Sequence, residues 1–222
     1  MNEIKFLNNL SIRPDGYFKR NRSEMMDFLP VTAKRILDVG CGTGNFGASI
    51  KIKMDVELWG IEIDKEAARA AITQYNNVLV GDTLEVMASL PPKYFDCIFF
   101  NDVLEHLVNP YEVLLKIKVN LAQGGVVICS IPNVRHYRNL FKLVFKKQWE
   151  YKDKGVLDKT HLRFFTEKSI KDMFHMLEYE IVNMKGIRRT RKLIPRLINL
   201  LTFGWLSDTL YLQYACEVRP IS

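Results

Sequence analysis

The 222-residue sequence holds only four cysteines, Cys41, Cys97, Cys129 and Cys216, and no two of them form a C-x-x-C pair. Their wide, irregular spacing argues against a disulfide framework or a zinc knuckle, and they read as small buried residues. Long apolar runs are absent too. Stretches such as Val126-Val127-Ile128-Cys129 fall far short of the ~18 residues that a membrane-spanning helix needs. The opening Met1-Asn2-Glu3-Ile4-Lys5 has neither the apolar core nor the small-residue cleavage site of a secretory signal, so a cytoplasmic protein is expected. Internal repeats, low-complexity tracts and Gly/Ser linkers are also missing, and 1–222 reads as a single domain. One scarcity is local: no acidic residue lies between Glu180 and Asp208.

That gap belongs to a wider asymmetry. Residues 1–132 carry 14 Lys/Arg against 16 Asp/Glu, whereas 133–222 carry 18 against 9, so the net charge of +7 is a property of the C-terminal part. Such a balance suits an anionic substrate, a nucleic acid or an anionic membrane surface.

The periodic segments alternate. After a polar, helical entry over about Gly16 to Leu29, strands are predicted at Arg35–Val39, Val56–Ile63, Asn77–Val80, Phe95–Phe100 and Val126–Ile131. Helices are predicted from Asn45, over Lys65–Ala71 behind an Asp64 cap, over Thr83–Leu90 and over Pro110–Leu121. Five strands alternating with helices imply an α/β protein with a parallel sheet covered on both faces. Glu178–Val182 and Leu210–Val218 read as a sixth and a seventh strand. Ligands on such sheets sit at the carboxyl ends of the strands. Gathered there are Gly40-Cys41-Gly42-Thr43-Gly44, Glu62, Gly81-Asp82, Asn101-Asp102 and Pro132-Asn133.

The stretch Leu37-Asp38-Val39-Gly40-Cys41-Gly42-Thr43-Gly44 resembles motif I of the class I S-adenosylmethionine-dependent methyltransferases, and the later strand ends follow in register. The resemblance implies a Rossmann-like, seven-stranded, mostly parallel sheet with helices on both faces and an antiparallel C-terminal strand. It implies S-adenosyl-L-methionine as cofactor, its amino-acid portion on the loop that Asp38, Gly40, Cys41, Gly42 and Gly44 form. Glu62, 18 residues past Gly44, matches the acid that accepts from the ribose hydroxyls, with Ile63 following it. Asp82, with Thr83 beside it, matches the residue that meets the adenine amino group. Asn101 and Asp102 match the lining of the methionine end. Ser130–Val134 and Leu157–Thr166 resemble a subgroup that O-methylates cell-surface polysaccharides and other small molecules. The implied reaction is methyl transfer to a small-molecule oxygen, with a sugar hydroxyl foremost.

Competing readings remain. Gly42-Thr43-Gly44-Asn45-Phe46-Gly47 also fits the G-x-G-x-x-G dinucleotide fingerprint, which makes an oxidoreductase the other enzyme reading. An RNA-directed methyltransferase is secondary, because no RNA-binding module accompanies the basic residues. A noncatalytic scaffold that keeps the cofactor is the reading from outside enzymology.

A hydroxyl acceptor needs a general base. Asp158 and His161, three apart, are the candidate dyad, and His106 is the second candidate base; each could equally hold its loop in place. Glu105-His106 offers two adjacent ligands without a third at helical spacing, so no metal is expected. His175 reads as structural. A helical insertion over about 134–165 is expected to build acceptor specificity. Its aromatics Tyr137, Phe141 and Phe145 recur every four residues, and read first as packing of that helix on the sheet, otherwise as a lid. The cations Lys185, Arg188, Arg189, Arg191, Lys192 and Arg196 run into the amphipathic, proline-containing Leu193–Leu201. Segment 185–206 therefore reads either as a peripheral contact with an anionic membrane or as a solvated loop before a core or homodimer-interface helix.

Overall fold

The computed structural model describes residues 22–221. Seven strands form one sheet: β1 (Arg35–Val39), β2 (Glu57–Glu62), β3 (Asn77–Val80), β4 (Phe95–Asn101), β5 (Leu121–Pro132), β6 (Tyr179–Arg189) and β7 (Tyr211–Pro220). Their spatial order is β3-β2-β1-β4-β5-β7-β6. β1 to β5 pair in parallel, while β7 runs antiparallel to both β5 and β6. Among the described residues the α-helices are α1 (Asn45–Lys53), α2 (Lys65–Ala71), α3 (Thr83–Val86), α4 (Pro110–Ile117), α5 (Tyr137–Phe145), α6 (Glu167–Met176) and α7 (Leu193–Leu201).

Side-chain alternation along the strands divides the core in two. Leu37, Val39, Ile98, Phe100 and Val127 pack with Val113, Ile117, Ile170 and Phe174 of α4 and α6. Ile36, Cys97, Phe99, Val126 and Ile128 face the other way, against Phe46 and Ile50 of α1, Tyr75, and Met25 and Phe28. The central strands are thus buried on both faces, which is why they read as continuous apolar runs. All four cysteines are free and buried.

Several boundaries differ from expectation, among them the start of β5 at Leu121 where Val126 is expected. The entry helix is a 3-10 helix over Ser23–Phe28, and the part of the expected helix before residue 22 lies outside the described residues. Helices α3 and α4 end early in short 3-10 turns, Met87–Ser89 and Lys118–Asn120. β6 continues seven residues past Val182 to Arg189. Among the described residues it is an edge strand paired with β7 alone, so few of its residues are fully buried and its apolar alternation is broken, although Met184 and Ile187 still pack partly against the core.

Candidate functional site

A cleft of about 490 Å³ opens at the carboxyl ends of β1, β2, β4 and β5. Sheet order explains its place: β1 leads outward to β2 while β4 lies on its other side, so the connections diverge and leave a crevice.

The β1–α1 turn forms one wall. Gly40 has φ +72°, and a Cβ there would lie 2.5 Å from a methyl of Val103, so the backbone approaches the β4 end as only glycine permits. Cys41 and Gly42 line the cleft, but Gly44 does not; it begins α1 in a left-handed conformation, packed against Ala71 and Gln74. There it turns the chain into the helix. Buried Glu62 spans the turn: Oε2 accepts from the Gly42 amide at 2.8 Å and Oε1 from the Asp64 amide at 2.9 Å. Each carboxylate oxygen has a second lone pair, so accepting from a ligand remains open to it. Asp38 is buried beneath the loop, where desolvation pushes its carboxyl up to about 7, against the pull of a 2.6 Å hydrogen bond from the Tyr75 hydroxyl. Farther along the wall lie Ile63, Asp82 and Thr83. Asp82 caps α3 by accepting from the Leu84 amide at 2.8 Å.

The β4 end is a polar knot. Asp102 takes a left-handed conformation, φ 52°, held by its amide donating to the Ser130 carbonyl and hydroxyl oxygens. Its carboxylate accepts from Ser130 Oγ at 2.6 Å, from Gln213 Nε2 at 2.7 Å and from the guanidinium of Arg22. Burial raises its pKa, but Arg22 and these hydrogen bonds outweigh that and hold the carboxyl below its ordinary value. Asp102 therefore acts as a strut. Arg22 and Gln213 line the cleft and were not found from the sequence, because they come from the first described residue and the last strand. Arg22 Nη1, both amide atoms of Asn101 and Gln213 Oε1 are buried without a hydrogen-bond partner among the described residues.

Beyond the knot, His106 and His161 meet edge to face, ring centroids 4.7 Å apart. The expected Asp158–His161 dyad does not form. Asp158 Oδ1 accepts from the amide and hydroxyl of Thr160 at 3.0 and 2.8 Å, while Nδ1 of His161 lies 3.0 Å from the Val156 carbonyl. Asp158 instead acts on His106. With the Thr160 hydroxyl directed to Asp158, both Thr160 oxygens 3.1 Å from His106 Nδ1 are acceptors, which fixes the Nδ1–H tautomer and leaves Nε2 the basic nitrogen. Under the pair, burial and Asp102 push the Glu105 carboxyl well up, and its Oε1 is 3.8 Å from His161 Nε2. Folding thus supplies the third group that Glu105-His106 lacks in sequence: ligand atoms of Glu105, His106 and His161 lie within 4.8 Å of one another and could hold a divalent cation. His175 is exposed on α6.

The 134–165 segment divides. Lys154, Gly155, Val156, Asp158 and His161 line the cleft, but no residue of α5 does. Helix α5 has no buried residue, so neither expectation for its stripe holds: it neither packs on the sheet nor covers the cleft.

A methyltransferase-domain family model matches residues 14–183. A ubiquinone biosynthesis O-methyltransferase of Cereibacter sphaeroides is 28% identical over 170 residues, covering 72% of this chain and 65% of the relative, so the chain spans less than two thirds of that protein's length. Among solved structures, a SAM-dependent methyltransferase from Archaeoglobus fulgidus superposes with a TM-score of 0.70 at 19% identity, covering 92% of this chain and 96% of the other. The [4+2]-cyclase SpnF superposes at 0.61 with 16% identity, covering 90% and 81%. The same fold thus serves proteins named for different reactions.

Proposed function

From the premise that this chain belongs to the methyltransferase-domain family, we propose that it transfers a methyl group from S-adenosylmethionine to an oxygen of a small-molecule acceptor, with a sugar hydroxyl as the acceptor class. The observation that carries this reading is the composition of one cleft: the glycine turn, Glu62 and Asp82 on one side, and an oriented histidine pair on the other. The name of the Cereibacter relative supports oxygen as the acceptor atom. The resemblance of Ser130–Val134 and Leu157–Thr166 supports a sugar.

The residues fit the cofactor. Unpartnered buried polar atoms on Arg22, Asn101 and Gln213 suit a charged, polar ligand rather than an apolar one. Glu62 would hold the ribose hydroxyls and Asp82 the adenine amino group, with Ile63 and Thr83 beside the base. Arg22 and Asn101 would meet the amino-acid portion over Gly40–Gly42. Bound there, S-adenosylmethionine supplies a methyl group activated as a sulfonium.

His106 takes the acceptor's proton at Nε2 as the new oxygen–carbon bond forms, because its Nδ1–H is committed to Thr160. Asp158 positions it through Thr160. His161 and Glu105 support the pair from below. This reverses the roles read from the sequence, where His161 was the leading base. A second reading is favoured by the clustering of Glu105, His106 and His161: a divalent cation there would polarise the acceptor oxygen.

RNA is a weaker acceptor class, since among the described residues Phe46 is the one Phe, Tyr or Trp lining the cleft and it is buried. Calorimetric titration with S-adenosylmethionine and its demethylated product should show saturable binding, weakened by Glu62→Ala, and none with NAD. NAD binding in place of both would return the glycine loop to the dinucleotide reading. Product formation across a panel of sugars and phenols, with and without chelator, tests the rest. Cofactor binding with no product on any acceptor supports a scaffold; activity lost to chelator and restored by a divalent ion supports the cation.

A further inference from the structure

Helices α5 and α7 lie side by side with an open groove between them, and both leave their apolar residues in water. On α7 only Pro195 is buried; Leu193, Ile194, Leu197, Leu200 and Leu201 are all exposed, Ile194 to 72%. Phe145 at the end of α5 is 74% exposed. The turn after α7 then presents Phe203 and Trp205 at 100% and 78% exposure, through left-handed Phe203 and Gly204. A nine-residue helix with so little buried is not held by the protein core, and it is far too short to span a bilayer. Among the described residues no helix is long and apolar enough to cross one.

The groove's charge is one-sided. Arg138, Lys142, Lys146, Lys152, Arg191 and Lys192 line it together with Phe141, Phe145, Leu193, Ile194 and Ile198, and no Asp or Glu among the described residues does. Lys142 is paired with Glu150 at 2.8 Å. We infer that the α5–α7 face, with the Phe203–Trp205 turn at its tip, docks peripherally on an anionic lipid bilayer. Leu, Ile, Phe and Trp enter the headgroup and acyl boundary while the surrounding Lys and Arg meet lipid phosphates. A second copy of the chain fits worse, because a two-fold contact would set these cations against their own equivalents, and of them only Lys142 is ion-paired with a carboxylate among the described residues. A nucleic acid would use the cations but not the exposed leucines and isoleucines. Docking also has a direction: Lys152 lines the groove and Lys154 to Val156 line the cleft, so one loop borders both and the cleft opens beside the lipid. The inference rests on this surface and not on methyl transfer.

Vesicle flotation tests it with the full chain, phosphatidylcholine vesicles, and vesicles of the same lipid with about a third phosphatidylglycerol. Expected is binding to the anionic vesicles that weakens with salt, with a blue shift of tryptophan emission. Ile194→Glu/Leu197→Glu should lower partitioning at least tenfold while circular dichroism and cofactor titration stay as in the wild type. Absence of binding at low salt overturns the inference. So does binding that the double variant leaves unchanged, which is adsorption by charge alone. A dimer in sedimentation that the same variant splits, without vesicle binding, assigns the face to a second copy instead.

Discussion

The cleft and the α5–α7 face are built on opposite rules. At the cleft, polar groups are buried and mostly bound to one another: Glu62 ties down two amides, Asp102 gathers Ser130, Gln213 and Arg22, and Asp158 steadies His106 through Thr160. On the outer face, apolar groups are exposed and nothing among the described residues covers them. The first region gains from a fixed geometry, since a reacting site must be held before its ligand arrives. The second gains from a surface that can sink into a soft partner. The lesson is that a buried polar group and an exposed apolar one are each informative, because folding alone favours neither.

Substitutions at the two regions should fail in different ways. The largest effect is expected from His106→Gln, which keeps a hydrogen-bonding side chain but removes the base: kcat should fall by about 10²- to 10⁴-fold with cofactor affinity unchanged, read by steady-state kinetics beside calorimetry. An equal loss from His161→Gln but none from His106→Gln would undo the assignment of roles. Gly40→Ala comes next. Left-handed strain alone costs about 1–2 kcal/mol, and the contact with Val103 adds to it, so both Tm and cofactor binding should drop.

A smaller effect, a shift of a few degrees, separates buried charge from bound charge. Asp38 titrates near 7 in the fold, raised by burial from 3.8. The unfolded chain therefore releases this proton first, and Asp38's contribution to stability declines as pH rises from about 4 to about 7. Asp38→Asn, which can still accept from Tyr75, should flatten that part of the Tm–pH profile; an unchanged slope would mean the carboxyl is not held protonated. Smallest of all, Leu200→Ser on the outer face should change stability by no more than about 0.5 kcal/mol, measured by urea unfolding. A loss of several kcal/mol there would make α7 a core element and abolish the contrast.

The boundaries of β1 and β3 were legible to the residue because polar and glycine positions bracket short apolar runs. The glycine turn, Glu62 and Asp82 were legible because their spacing follows from one β-α-β unit after another. β6 was read too short, since an edge strand needs no apolar alternation. The aromatic stripe of α5 announced an amphipathic helix but not what its apolar side meets. Arg22 and Gln213 gave no local signal at all.

The sequence by itself determined the order of strands and helices, the glycine turn and the acids that follow it, because these depend on backbone conformations and periodicities only a few residues long. Tertiary structure decided which charges neutralise each other, which histidine Asp158 orients, and that Glu105, His106 and His161 converge. Residues 54 to 111 positions apart meet in those contacts. Their pairing follows from how the sheet brings its strand ends together, and local propensity carries no record of it.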